Sequence, residues 1–448
     1  MAMTSRPLHN SILRFMFWSA LSAIVFVYFS YALERHEHLE LGLCIGLLFV
    51  AYYFLLKTPV KTSFLVGAGL LFRLIFFFSI PNLSQDFYRF IWDGRVLFSG
   101  LNPYLFSPNE LMDTHHGLFA QMQILHSKMG TLSAQHFSNY PPLHQLPFVL
   151  AALITGKSII GSVVVFRILI VLTDVGILVF GKKLLNALAL PTKNIFYYFL
   201  NPLVIIELTG NLHFEGLMLF FLVWALYFLY QNKSTRSAIF MSFSILTKLL
   251  PILLLPLLIH RLKPKNILRY FAIIGVLLIL FFLPFFELDF LNNYGKTVGL
   301  WFTNFEFNSS VYTVVKIGTA HFFEINLIKY MPYIVPILMT IILMYFLCTK
   351  PKEKKNIPAQ SLWVLTFYFL SATTVHPWYI CSLVLLCCFT KYRFALVWSS
   401  TVFLSYFAYG QNNVSANTIW ETLEYLIFGG YMLYEFIKQQ RAKASSSN

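Results

Sequence analysis

Long apolar runs recur along almost the whole sequence and restrict this chain to one class of fold. Thirteen of them are predicted to cross a bilayer, for which a helix typically takes about 17–25 residues. Because only 11% of the residues are charged, against about 25% in soluble domains, a soluble protein is excluded. The sequence predicts an all-α polytopic membrane protein that forms one integral membrane domain over residues 1–448. The runs lie near 12–33, 40–57, 62–80, 159–181, 194–208, 214–231, 236–260, 267–285, 330–349, 360–375, 377–390, 394–409 and 418–437, and a shorter run at 142–156 is a fourteenth span or a re-entrant helix.

The basic residues give the chain a formal net charge of +15, but they cluster in short connections. Such clusters are typical of cytoplasmic loops, so the charge does not indicate nucleic-acid binding. Arg6 and Arg14 place the N-terminus in the cytoplasm. The apolar run after them is too long for a signal-peptide core, and we interpret it as an uncleaved first span. The two longest stretches without a span, 81–141 and 286–329, are then external.

The orientation of the middle of the chain stays open at this stage. The basic residues between 182 and 236 favour the cytoplasm, whereas simple alternation with one helix over 236–260 places them outside. Breaking that helix at Lys248 and Pro251, with a re-entrant 142–156 helix, restores the rule.

The stretch Ser84–Pro108 in the first external segment is unusually rich in acids, bases and aromatic residues. Its spacing puts Asp86, Arg89 and Asp93 on one face of a helix, and Arg95 follows at once. A carboxylate held in this way is suited to take a proton from a hydroxyl group. Asp93 has an alternative role, as the partner that orients Arg89 or Arg95.

Several polar residues lie inside apolar runs, where they are costly and therefore functional candidates. Each has a less specific alternative. Lys248 fits a snorkelling or ion-paired structural lysine, and His213 with Glu215 would also suit a transport path. Arg167 and Asp174, seven residues apart on one helix, suggest a structural pair. The candidates are Lys248, then Glu207, Asn211, His213 and Glu215, then His376 and Trp378, and finally the segment Trp301–Tyr312.

Other signals are weak or absent. The His36/His38 and His115/His116 pairs suggest a metal only faintly, and exposed loop histidines are the alternative. Asn308-Ser309-Ser310 matches a glycosylation acceptor, a short motif that is often unused. The sequence contains no P-loop and no GxGxxG motif. An enzyme of this kind that moves an activated group must receive that group on a lipid-soluble carrier.

An ordered set of motifs gives the chain a family resemblance. It resembles the polyprenyl-phosphate-mannose-dependent mannosyltransferases of the GT-C fold, which include bacterial mannosyltransferases and the enzyme that adds the first mannose to GPI anchors. The resemblance runs from about residue 80 to 390. Its motifs are QDFYRFIWDGRVLFSGLNPY, NYPPLHQ, FLNPLVIIELTGNLHFEG, SILTKLLPILLLP, FNSSVY and VHPWY.

The resemblance implies a GT-C-type fold with about 13–14 membrane helices and a large external loop that carries short helices. It implies transfer of one hexose, most often mannose, from a polyprenyl-phosphate donor to a lipid-linked or glycan acceptor, with no cofactor and no required metal. It also implies a bacterial cytoplasmic membrane with the active site on its external face. Membrane lipids are expected partners and nucleic acid is not.

The resemblance also assigns roles to residues. Asp86 matches the catalytic acid of the family and would be a general base in an inverting displacement. The eukaryotic relatives often have two acids one residue apart, whereas Ser84-Gln85-Asp86 supplies one, so a mechanism that needs both is not supported. The catalytic candidates are Asp86 and Asp93, the candidates for the donor phosphate are Arg89, Arg95 and Lys248, and the substrate-binding candidates are Tyr88, Trp92, Asn102, Tyr104, Asn211, His213, Glu215, Asn308, His376 and Trp378.

Two other classes of protein share some of these features. A secondary transporter or lipid flippase would have the same spans and intramembrane charges. However, the halves show no inverted repeat of the kind many transporters have, and transport does not explain so polar a loop at 81–141. A non-catalytic scaffold in a glycan-assembly complex is the third interpretation, and it requires Asp86 to be dispensable.

Overall fold

The computed structural model describes residues 5–303, 305–323, 325–349, 357–409 and 418–445, with the backbone alone at 5–8, 260, 301–303 and 442–445. Within this described part the chain is helical. Its one extended pairing is a single β-bridge between Phe307 and Thr374. The fold class predicted from the sequence, an all-α polytopic membrane protein, is confirmed.

The first three helices form a hairpin and a third, shorter helix that packs on it. A short turn with Glu34, Arg35 and His36 joins the first two helices. The helices are α1 (Ser5–Tyr31), α2 (His38–Lys57) and α3 (Thr62–Ile75).

The segment 81–141 carries short helices, as predicted for the first large loop. Ser107 starts the second of these with a capping box, in which its side chain and that of Glu110 satisfy each other's backbone N–H groups. The helices are α4 (Asp86–Phe98), α5 (Pro108–Thr114), α6 (Met122–Lys128) and α7 (Thr131–Gln135).

The middle of the chain contains a series of longer and shorter helices. Its members are α8 (Pro142–Thr155), α9 (Ile159–Ala187), α10 (Phe196–Phe199), α11 (Pro202–Val204), a π-helix over Ile205–Gly210, α12 (Glu215–Tyr230), α13 (Ser234–Thr247), α14 (Leu255–Leu258) and α15 (Pro264–Phe282).

The C-terminal part begins with two helices of the second predicted external segment and ends with a long helix. Its members are α16 (Phe290–Thr303), α17 (Val311–Phe323), α18 (Met331–Cys348), α19 (Ile357–Ser371), α20 (Ile380–Cys388), α21 (Phe394–Thr401) and α22 (Thr418–Ser445).

Five described helices are by themselves long and apolar enough to span a membrane, fewer than the thirteen or fourteen apolar runs predicted to do so. The other runs form shorter or interrupted helices. Prolines and polar residues interrupt them, because proline removes a backbone donor and clashes with the preceding turn. The five are His9–Tyr31, His38–Lys57, Ile159–Ala187, Pro264–Phe285 and Leu327–Cys348, and Pro202–Gly210 with Glu215–Tyr230 forms a pair bent by 116°.

Of the two arrangements that the sequence leaves open for 236–260, the structure has the one with a break at Lys248. Helix α13 ends at Thr247, and Lys248 has an extended backbone with φ −149° and ψ 142°. A 3₁₀ helix, Leu250–Leu254, then begins with Pro251 in its first turn. The apolar run 236–260 is therefore two helical pieces, and the lysine side chain lies at the joint.

Helix α4 lies close against the buried helix α8. At Gly94 an added Cβ would lie 2.2 Å from the carbonyl oxygen of Phe148, so only glycine permits this approach. Around the contact, Phe90 stacks on Phe148 with 4.8 Å between ring centroids, and Phe214 packs against both. This aromatic cluster fixes α4 against the membrane helices.

The predicted Arg167–Asp174 pair is wrong. Asp174 pairs instead with Arg73 of α3, with 2.7 Å between Oδ2 and Nε and both side chains fully buried. Arg167 donates to backbone carbonyls, among them those of Thr209 and Gly210. Residues seven apart lie on the same face but two turns apart, about 10 Å along the axis, so each finds a partner on a neighbouring helix.

Candidate active site

The main cavity of the described structure, about 640 Å³ in volume, lies where the first loop meets the broken helices. Its wall combines aromatic and aliphatic side chains with a few charged ones. We call it the main cavity. The acidic, basic and histidine residues that line it are Arg35, Asp86, Glu215, Lys248, Glu306 and His376.

Asp86 is the first residue of α4 and is partly buried in the cavity wall. Its backbone N–H donates to Ser84 Oγ at 3.3 Å, which closes the turn before the helix. Burial raises the pKa of its carboxyl group to about 6, which Lys248 and Arg35 partly oppose and Glu215 reinforces. At neutral pH the group is therefore mostly ionised and close to the pKa that favours a general base.

Lys248 and Glu215 form an ion pair on the cavity wall. Glu215 begins α12 and Lys248 follows the end of α13, so two helix breaks bring these side chains together. Glu215 is almost fully buried, whereas 22% of the Lys248 side chain is exposed. The ammonium group is therefore both an ion-pair partner and a cation that faces the cavity.

Aromatic rings are stacked along one side of the main cavity. His376 stacks on Trp378 with 4.3 Å between ring centroids, and both line the cavity. His213 also stacks on Trp378, with 3.7 Å between ring centroids. The sequence motifs HFEG and VHPWY thus meet, with His213 behind the wall and Trp378 in it.

Asp93, Arg89, Arg95 and Trp92 lie outside the main cavity, although Asp86 of the same helix lines it. Arg89 Nε donates to Asp93 Oδ1 at 2.7 Å, and its NH1 donates to the carbonyls of Ser133 and His136. Arg95 donates to the Ala120 carbonyl and to Gln121. Both arginines thus bind the later part of the loop. Trp92 is buried against Phe119 and His126.

The predicted polar residues of the GLNPY motif also have structural contacts. Asn102 Nδ2 donates to the carbonyl of Phe285 at 3.0 Å, and its Oδ1 accepts from the Tyr104 backbone. The fully buried Tyr104 donates from its hydroxyl to the Tyr140 carbonyl. The Asn102 contact joins the first loop to the end of the Pro264–Phe285 helix, directly before the second predicted loop.

Asn211 and Asn308 do not line the main cavity, but each lies beside a residue that does. Asn211 Oδ1 accepts from the backbone N–H of Leu83 at 3.2 Å, three residues before Asp86, and its Nδ2 donates to Glu207. Asn308 is buried and donates to Glu424 of α22 at 3.1 Å. Burial of this asparagine also removes it from the surface that a glycosylation site requires.

Several residues of the main cavity were not predicted from the sequence. Arg35 is the clearest, with its guanidinium 4.1 Å from the Tyr409 ring centroid and a hydrogen bond to the Leu83 carbonyl. A lone arginine in a predicted external, acidic turn runs against the positive-inside rule, and that anomaly was a usable signal. Tyr140, Tyr379 and Tyr406 also line the cavity, but many tyrosines in the sequence look alike. The Trp301 side chain lies outside the described residues.

A second cavity of about 350 Å³ adjoins the main one. The two share Arg35, Ser84 and Gln85 as lining residues. The other walls of this second cavity include the turn between α1 and α2. Tyr88, predicted as a substrate-binding residue, lines this second cavity.

Comparison with known proteins assigns the chain to a family. The family described as "Alpha-(1->6)-mannopyranosyltransferase, N-terminal domain" matches residues 23–263, just over half of the chain. This chain belongs to that family. The match covers α2–α4 with Asp86 and also α12–α13 with Glu215 and Lys248, so these three residues of the main cavity lie within the matched segment, whereas Glu306 and His376 lie beyond it.

Two relatives from this alpha-(1->6)-mannopyranosyltransferase family align with part of the chain. Alpha-(1->6)-mannopyranosyltransferase B of Corynebacterium glutamicum is 29% identical over 147 residues, 32% of this chain. Alpha-(1->6)-mannopyranosyltransferase A of Mycobacterium tuberculosis is 27% identical over 188 residues, 40% of this chain. The alignments span 23% and 33% of those proteins' own lengths. No solved structure matches the chain.

Proposed function

We propose that this protein is a mannosyltransferase that moves a mannose residue from a polyprenyl-phosphate donor to a lipid-linked or glycan acceptor. One observation carries the proposal: Asp86 and Lys248 line the same large cavity in a chain that belongs to the alpha-(1->6)-mannopyranosyltransferase family. The names of both relatives support mannose as the sugar.

Asp86 acts in this proposal as the general base. It accepts the proton of the acceptor hydroxyl while that oxygen attacks the anomeric carbon. Help of this kind is typically about 10²–10⁴-fold. A pKa of about 6 leaves the carboxylate ionised at neutral pH and still basic enough to accept a proton. One displacement without a covalent intermediate inverts the anomeric centre.

Lys248 stabilises the leaving group. The donor phosphate gains negative charge as the bond to the anomeric carbon breaks, and a fixed cation in a water-poor cavity stabilises that charge. Arg35 is the second cation that lines the cavity. The apolar and aromatic wall, including Trp378 and Tyr379, offers surface for the sugar ring and the isoprenoid chain.

The donor and the acceptor of this proposal fit an active site on the external face of a bacterial cytoplasmic membrane. The loop 81–141 contains Asp86, and the Arg and Lys distribution assigns this loop to the outside. A lipid-soluble donor also agrees with a cavity that adjoins membrane helices.

An assay with the purified full-length protein in detergent or liposomes tests the proposal. The protein is supplied with radiolabelled polyprenyl-phosphate mannose and an alkyl mannoside as acceptor, and transfer is measured by chromatography. We expect labelled product with wild-type protein and at least about 100-fold less with Asp86→Asn. Absence of transfer, combined with movement of the labelled lipid across a liposome bilayer, would instead support the flippase.

A further inference from the structure

The second cavity lies beside Asp86 but differs in chemistry from the main cavity. Its wall is built from the turn between α1 and α2 and from the residues around the start of α4. Glu34 contributes a carboxylate whose side chain is 70% exposed, and His36 lies 3.4 Å from it. Tyr88 adds an aromatic ring. Phe87 lines the second cavity as well. Charged and polar groups beside flat aromatic rings suit a carbohydrate, which presents many hydroxyls and an apolar ring face.

The two cavities meet at the residues that lead into the catalytic helix. Arg35, Ser84 and Gln85 line both, and Asp86 is the next residue in the chain. Ser84 Oγ accepts from the Asp86 backbone N–H, and Arg35 donates to the Leu83 carbonyl. These shared residues therefore form the border between the second cavity and the main cavity, which Asp86 lines.

The stereochemistry of the reaction requires the acceptor oxygen and the donor phosphate to lie on opposite sides of the anomeric carbon. In an inverting displacement the acceptor oxygen attacks the anomeric carbon from the side opposite the leaving phosphate. The hydroxyl proton passes to Asp86, the new carbon–oxygen bond forms, and the electrons of the broken bond stay on the phosphate. If Lys248 holds that phosphate in the main cavity, the acceptor must reach Asp86 from another direction.

We propose that the second cavity binds the glycan part of the acceptor, with Glu34 and His36 bonding to sugar hydroxyls and Tyr88 packing against a ring. This proposal rests on the proposed mannosyltransferase function, which it deepens by separating the acceptor site from the donor site. Carbohydrate is favoured over a lipid chain because the second cavity is lined by charged and polar side chains.

Steady-state kinetics with Glu34→Ala and Tyr88→Ala test this assignment. The probe is an alkyl glycoside of α-1,6-linked mannose, with polyprenyl-phosphate mannose as donor. We expect the acceptor KM to rise about fivefold or more, which corresponds to one lost hydrogen bond. The donor KM and kcat should stay within about twofold of wild type. Glu40→Ala is the matched control, because this carboxylate lies just beyond the same turn and outside the linings of both cavities.

A labelling experiment makes the test independent of turnover. Glu34→Cys in a cysteine-free background should react with a maleimide, and the alkyl glycoside should slow that reaction whereas polyprenyl-phosphate mannose should not. Absence of protection, or an unchanged acceptor KM in both alanine variants of an active enzyme, would refute the acceptor site alone. Protection in a protein that transfers no mannose would support the site and refute the proposed reaction.

Discussion

At the scale of single residues, the site depends on charges whose surroundings set their properties. Asp86 is partly buried at the start of a helix, where burial raises its pKa to about 6. Lys248 shares its charge between Glu215 and the cavity. Each group therefore has a structural cost and a chemical use, and the two can be separated by mutation.

Asp86→Asn should reduce transfer by about 100-fold or more, because it removes the general base. The fold should lose no stability at pH 7, because the ionised carboxylate is the form that burial disfavours. Turnover and thermal unfolding of the purified variant provide the two measurements. Turnover above about a tenth of wild type would exclude this role. Asp93→Asn should cost less activity, since Asp93 pairs with Arg89 outside the cavity.

The pH dependence of transfer should follow the ionisation of the Asp86 carboxyl group. Asp86 can act as a base only while its carboxyl group is ionised. Because its pKa is raised to about 6, the carboxylate becomes protonated near pH 6 rather than in the lower range usual for aspartate. We expect kcat/KM to fall about tenfold for each pH unit below that value. A wild-type profile flat between pH 7 and 5 would contradict the prediction.

Lys248→Met should raise the donor KM, lower kcat and also destabilise the fold. Removing one partner of a buried pair costs about 3–5 kcal/mol, and Glu215 would be left as an uncompensated charge. The double variant Lys248→Met/Glu215→Gln should recover stability, because no charge remains, while the donor KM stays raised. Donor KM and thermal unfolding measured on both variants separate the two roles. A donor KM equal to that of wild type in the stable double variant would mean that Lys248 has only a structural role.

At the scale of secondary-structure elements, the position of Asp86 depends on two supports. Gly94 lets α4 approach α8, and the π-helix Ile205–Gly210 is followed by Asn211, which holds the Leu83 backbone. π-helices are rare and occur frequently at functional sites. Here the π-helix precedes the bend between Pro202–Gly210 and α12, which begins with Glu215.

Gly94→Ala should destabilise the protein by about 1–3 kcal/mol, the usual cost of overpacking, because the new Cβ would meet the Phe148 backbone. Gly67→Ala in α3 is the matched control. Its Cβ would have nothing within 4 Å, and alanine is the better helix former by about 1 kcal/mol. Thermal unfolding should therefore move in opposite directions for the two variants. Equal shifts would mean that α4 and α8 are not closely packed.

Asn211→Ala should lower kcat more than its effect on stability explains. It removes the acceptor for the Leu83 N–H and so loosens the turn that carries Asp86. Asn201→Ala is the control, since that amide is equally buried but bonds to Ser399 and Leu203. Activity per folded molecule should fall about tenfold in the first variant, roughly the effect of 1.4 kcal/mol, and little in the second. Similar losses in both would show that Asn211 has no special link to Asp86.

At the scale of the whole molecule, the orientation of the first loop decides which side of the membrane the reaction occupies. The loop 81–141 should be external. Ser107 is a poor reporter position because it is buried and caps α5, whereas His116 is exposed. His116→Cys in a cysteine-free background should react with an impermeant maleimide in intact spheroplasts. Labelling only after lysis would reverse the orientation and move the proposed site to the cytoplasmic face.

The sequence by itself determined the class of fold, the pairing of Asp93 with Arg89 and the helix break at Lys248. Apolar runs require helices in a membrane because backbone groups there must be satisfied within one segment, and helical spacing placed Asp93 against Arg89 within α4. The proline after Lys248 marked a helix break that the structure contains. All of these follow from rules that act within one continuous stretch of chain.

Only the tertiary structure decided which charges share a cavity. Arg89 and Arg95 are near Asp86 in sequence but bind loop carbonyls, whereas Lys248, Glu215 and Arg35 come from distant segments and line the main cavity with it. The tertiary structure also pairs Asp174 with Arg73 rather than with Arg167. The reason is physical: the period of a helix fixes neighbours within one element, but contacts between elements depend on how helices pack, bend and break, which spacing along the chain does not specify.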